Sequence, residues 1–138
     1  MSLSEEERKA IVAYRIEKAR TVIAEIKRIM PMEVWGTIAN RMYYALYYAA
    51  IALLINDSHT VGTHKGVISL INQCYVKTGV LSKEDGHLFG KVFAFRQDSD
   101  YDDFIDATED DVRRFFPQVE TLVEKIISLV NSDYSGSF

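Results

Sequence analysis

Arginine, phenol and imidazole side chains at helical spacing are the groups in this chain that could do chemistry. In the stretch from Trp35 to Leu54, Arg41, Tyr44 and Tyr48 recur at steps of three and four residues, with Asn40 beside Arg41. On a helix that spacing lines up a cation, an amide and two phenols along one edge. A guanidinium grips phosphate or carboxylate through parallel N–H donors and also stacks on phenol rings, so the edge suits either an anion or a cation seated at a subunit seam. Arg96 precedes Asp100 by four residues, the spacing of a local ion pair or of an arginine held so that its fork faces a phosphate. His64 opens a predicted helix where backbone N–H groups are free to meet an anion, and imidazole titrates closest to neutral pH. Tyr101, next to Asp100, can anchor an acidic segment to the fold.

The elements that must position these groups are helices. Ser4 and Glu7 form a capping-box pattern that starts a first helix, and Pro31 ends it. Its apolar stripe is Ala19, Val22, Ile23, Ile26 and Met30, with Arg8, Arg15, Lys18 and other cations at solvated positions. A central helix is predicted from about Glu33 to Leu54, with a core stripe of Trp35, Ile38, Met42, Leu46, Ala49 and Leu53 and a second stripe of Tyr43, Tyr47, Ala50 and Leu54. The loop of residues 56 to 63 leads to a third helix capped by Thr60 or Thr63, with Val67, Ile68, Ile71, Cys74 and Tyr75 inward, closed by Gly79. Ser82 and Asp85 start a fourth helix carrying Leu88, Phe89, Val92, Phe93 and Phe95. Residues 98 to 111 read as an acidic link. Thr108 caps a last helix with Val112, Phe115, Val119, Leu122, Ile126 and Val130 on its face and a bend at Pro117. Period-two alternation is sustained nowhere, so the expected architecture is all-α, an up-and-down bundle of four to five helices.

Composition narrows the class of function. A length of 138 residues suits one domain, 1–138, with 132–138 as a frayed tail. The apolar runs are short and tyrosine-rich, the acidic N-terminus resembles no signal peptide, and the lone Cys74 has no partner for a disulfide or metal site. A soluble, cytoplasmic protein without membrane contact is therefore expected. The net charge of −4 disfavours broad DNA binding but leaves room for a local basic pocket. Asp98, Asp100, Asp102, Asp106 and Glu109 follow the spacing of a calcium loop, yet Asp103 stands where the sharp turn needs glycine. No metal or other cofactor is expected.

Three segments together resemble the HEPN superfamily: ANRMYYALYYAAIALL, THKGVISLINQCYVKTGVLS and FRQDSDYDD. They are similar to the branch with an Asn-Arg-x-Tyr-Tyr-Ala helix and an Arg-x-x-x-Asp-Tyr segment, often paired with small nucleotidyltransferases. The resemblance implies a helical bundle that forms a homodimer, with a polar groove at the seam to which Asn40, Arg41, Tyr44, His64, Arg96, Asp100 and Tyr101 contribute. It implies a nucleotide or RNA phosphate as ligand, in a toxin-antitoxin-like or nucleotide-sensing pair. Ribonuclease members carry a histidine four to six residues after the arginine, and here those positions hold Tyr101, Asp102 and Asp103. Without that imidazole to move a proton, cleavage by the family mechanism is not expected. The rival expectation is an active endoribonuclease in which His64 or Asp100 takes over the role, and a third is a plain interaction module. In branches where the transferase modifies its partner, the target is a tyrosine after the motif, and Tyr101 is the nearest equivalent.

Overall fold

The computed structural model describes the backbone of residues 3–101 and 107–132, with side chains described outside 96–106. Five α-helices follow one another: α1 (Glu5–Ile29), α2 (Trp35–Asn56), α3 (His64–Ile71), α4 (Lys83–Tyr101) and α5 (Glu109–Asn131). Among the described residues there is no strand. The expected all-α bundle is what the chain forms.

Local sequence accounts for most of the boundaries. Ser4 and Glu7 close a reciprocal capping box at the start of α1, and Thr108 and Asp111 do the same for α5. Ser82 Oγ accepts from Asp85 N at 3.0 Å, while Ser82 N donates to the Asp85 carboxylate at 3.0 Å. These caps satisfy amides that a helix start leaves without partners. Thr63, rather than Thr60, caps α3, accepting from Gly66 N at 3.0 Å. Gly79 has φ of 85°, a left-handed turn that suits a residue without Cβ.

Three boundaries differ from the sequence expectation. The central helix starts at Trp35 and not near Glu33, because a 3-10 turn at Met30–Met32 contains Pro31 and hands over to Glu33 at φ 57°. Helix α3 passes into a π-helical turn, Asn72–Val76; the wider turn brings Tyr75 inside, where its hydroxyl donates to Asp57 Oδ2 at 2.6 Å. The stretch expected to begin an acidic link at Asp98 is still helical to Tyr101, so Asp98 and Asp100 sit on helical backbone and not in the loop that a calcium site would begin with. Residues 102–106 and the tail, 133–138, lie outside the described residues.

The core centres on α2. Ile38, Met42, Tyr43, Ala45, Leu46, Ala49, Leu53 and Leu54 are fully buried, against Val22 and Ile26 of α1, Phe89 and Val92 of α4, and Val119, Val123 and Ile126 of α5. Helix α2 is long and apolar enough to cross a bilayer, but 67% of its most apolar window is buried by the other helices. On α5 the inward aromatic is Phe116, while the expected Phe115 lies half-buried, its ring 5.5 Å from Phe95.

Helix α5 is tied to α4 by Lys125 Nζ, which donates to Asp85 Oδ2 at 2.6 Å. Burial raises the Asp85 pKa, but Lys125 and the backbone and hydroxyl of Ser82 outweigh it, and the net shift is downward. A carboxylate whose folded pKa is depressed stabilises the fold above its unfolded pKa of about 3.9, and the contribution is lost as pH falls through the folded value. Lys125→Ala should therefore lower thermal stability at pH 7 by a small amount and flatten the loss of stability below about pH 4. Melting curves of both proteins across that range check it.

Candidate functional site

The described side chains that meet around His64 form an aromatic cage. Thr63 fixes the first turn of α3 and delivers His64 to the side of α2. The Tyr43 hydroxyl and His64 Nδ1 are 2.6 Å apart. The phenol donates when Nδ1 carries no proton, and Nδ1–H donates to the phenol oxygen in the other tautomer and in the imidazolium. The Tyr47 ring stacks on the imidazole at 4.4 Å and 21°, and the Tyr44 ring meets it edge-on at 6.2 Å. Ring plane and one ring nitrogen are thus both held. That is how an imidazole is prepared for proton transfer or for presenting an N–H to an anion.

Tyr43 carries this arrangement into the core. It is fully buried, edge-on to Phe89 at 6.4 Å and tilted against Phe93 at 5.5 Å. A buried phenol needs a hydrogen-bond partner, and His64 supplies it. Its contacts also locate α4: the register of that helix puts Arg96 about one turn, and Asp100 about two turns, beyond Phe93. The side chains of Arg96, Asp100 and Tyr101 lie outside the described ones, so the expected meeting of Arg41 with Arg96 rests on this backbone register alone.

Arg41 is on the expected edge of α2, with its guanidinium 5.9 Å from the Tyr44 centroid. Its Nε donates to Glu25 Oε1 of α1 at 2.8 Å, a pair that is about one third exposed on either side. Arg41 is therefore anchored to α1 before any ligand arrives, and Glu25 takes part of its charge. Asn40 is half-buried one position earlier and makes no side-chain hydrogen bond among the described residues. The structure thus joins Arg41, Tyr44 and His64 through the Tyr44 ring and leaves Asn40 beside them.

Two participants were hidden in the sequence. Tyr43 and Tyr47 fall on the inner stripe of α2 and read there as packing. The available signal was chemical: two phenols in an otherwise apolar stripe must face polar partners. Glu25 gave none, since nothing in the spacing of α1 links it to Arg41, sixteen residues away. Among the described residues, no group of three or more His, Cys, Asp or Glu side chains could hold a metal ion.

Comparison with known proteins agrees with this architecture. The sequence model of the HEPN domain matches residues 12–130. A "UPF0332 protein" of Thermotoga maritima is 30% identical over 124 residues, covering 90% of this chain and 94% of its relative. Another "UPF0332 protein", from Archaeoglobus fulgidus, is 29% identical over 86% of this chain and 94% of its own. The "Putative toxin MJ0142" of Methanocaldococcus jannaschii is 26% identical over 70% of this chain and 65% of its own.

Proposed function

The chain belongs to the HEPN domain family, and from that premise we propose that it binds the phosphate of a nucleotide or of RNA. It does so as the partner of a small nucleotidyltransferase in a toxin-antitoxin-like or nucleotide-sensing pair, working as a cytoplasmic homodimer away from membranes and DNA. The observation that carries the reading is the immobilised imidazole of His64, gripped by Tyr43 and Tyr47. Arg41 stands next to it across the Tyr44 ring, and the register of α4 supports Arg96 as the second cation. The toxin name of a Methanocaldococcus jannaschii relative supports the toxin-like setting.

Binding of ATP and of labelled single-stranded RNA, measured for the wild type and for Arg96→Ala and His64→Ala, tests the proposal. Loss of a charge-assisted contact to phosphate, at about 1.5–3 kcal/mol, corresponds to roughly ten- to a hundredfold weaker binding. Absence of saturable binding in the wild type would leave only an interaction module.

The fixed imidazole also favours a second reading, an endoribonuclease in which His64 transfers the proton that the family's missing histidine would. Labelled RNA incubated with the wild type, His64→Ala and Arg96→Ala decides it. Cleavage that both substitutions abolish establishes the nuclease, and intact RNA in all three tubes rejects it.

A further inference from the structure

The tyrosines of α2 do not stop at His64. The Tyr44 ring, in contact with His64, lies 6.0 Å from that of Tyr48. Tyr48 in turn sits under two cations of α1, Lys18 Nζ at 5.1 Å and the Arg15 guanidinium at 5.9 Å. The same two cations flank Tyr14, at 5.4 and 5.8 Å, whose ring is 56% exposed. Tyr14, Glu17, Lys18, Arg41 and Tyr48 line an open cavity of about 340 Å³ along the α1–α2 seam.

Charge within this seam is unbalanced. Arg41 is paired with Glu25, but neither Arg15 nor Lys18 has a carboxylate within ion-pair distance among the described residues. Arg15 Nε is shielded from water without an acceptor. Two uncompensated cations held side by side, in a protein of net charge −4, make a local positive field. Glu17, on the wall of the cavity, offsets one of them in part.

We propose that this seam is a track for single-stranded RNA, entering at Tyr14 and running over Lys18, Arg15 and Tyr48 to the His64 end of α2. The inference rests on the reading that the His64 end takes a phosphate, and it extends the ligand from a mononucleotide to a strand. Alternating cations and ring faces are what an unpaired strand needs, with phosphates on the former and bases on the latter. An acidic protein segment would use the cations but has no use for a half-exposed phenol platform, so RNA is the better fit.

The test is anisotropy of a labelled oligouridylate of about twelve nucleotides, with ATP as the short probe, on the full chain and on Lys18→Glu, Tyr14→Ala and Arg96→Ala. Lys18→Glu should weaken the oligonucleotide about tenfold or more and leave ATP unchanged. Tyr14→Ala should weaken it about fivefold or more, in line with the value of one stacked base. Lys18→Ala should lower the slope of log affinity against log salt by about 0.7, one phosphate contact on a single strand.

The outcomes separate the track from the reading beneath it. Oligonucleotide affinity that ignores Lys18→Glu and Tyr14→Ala while both ligands respond to Arg96→Ala overturns the track alone. Binding that ignores Arg96→Ala but is lost in Lys18→Glu keeps the track and overturns the His64 end. A polyglutamate peptide that competes as well as RNA, or a Lys18→Glu protein altered only in self-association, assigns the seam to a protein partner and overturns the RNA proposal. Lack of binding to either probe overturns both.

Discussion

Tyr43→Ala is expected to lower the free energy of unfolding by about 3–5 kcal/mol, the range for removing a buried aromatic ring. No water reaches Tyr43, and its ring touches those of Tyr44, Tyr47, Phe89 and Phe93 as well as His64. The cavity left behind would border three separate elements, none of which can close it without moving another. Tyr43→Phe removes only the hydroxyl and should cost about 1 kcal/mol, because His64 Nδ1 loses its partner while the packing stays. Urea titration reads both: the midpoint should drop in each case with an unchanged slope. A Tyr43→Phe protein as stable as the wild type, with His64 titrating identically by NMR, would show that the 2.6 Å contact holds nothing in place.

Adding bulk to the same helix should do comparable harm. Ala39, Ala45, Ala49, Ala50 and Ala52 are all fully buried, so α2 meets its neighbours at several points through a methyl group. Ala49→Leu places three further carbons where the other side chains already fill the space. Overpacking of this kind costs about 1–3 kcal/mol, sometimes more. Hydrophobicity alone would predict a gain from the extra apolar area. The sign of the change therefore decides between packing and transfer, and thermal or urea denaturation measures it. A more stable Ala49→Leu protein would mean that the helices stand farther apart than described.

How far the residues announced this molecule depends on the range of the interaction. Caps act over three residues, and Ser4, Thr63, Ser82 and Thr108 each do what their spacing predicted. The inward stripes of α1 and α2 follow directly from helical period, as the burial of Val22, Ile26, Met42 and Leu46 shows. The π-turn at Asn72–Val76 escaped because a single wide turn leaves apolar spacing almost unchanged. The aspartates at 98 and 100 suggested a link, since acidic residues are poor at a helix C-terminus, yet the aromatic face of Phe89 and Phe93 carries α4 past that point.

The site was legible on one side only. Arg41, Tyr44 and His64 are chemical residue types at suggestive positions, and the structure brings them together. Glu25, Arg15 and Lys18 lie on another helix and join the group only because α1 folds back antiparallel onto α2. Such partners depend on which face of one helix docks on which face of the next. Arg15 and Lys18 read as solvated cations in α1, but their heads lie on the Tyr14 and Tyr48 rings.

The π-turn after α3 also governs how this protein can vary. A wide turn holds one residue more than the α-helix around it, and here the surplus aims Tyr75 at Asp57. Deleting a residue from 72–76 would restore a regular helix yet swing everything after it by about 100°, turning Tyr75 away from its carboxylate. The excess residue thus acts as a phase lock, and shortening this region would require a compensating lengthening before Lys83.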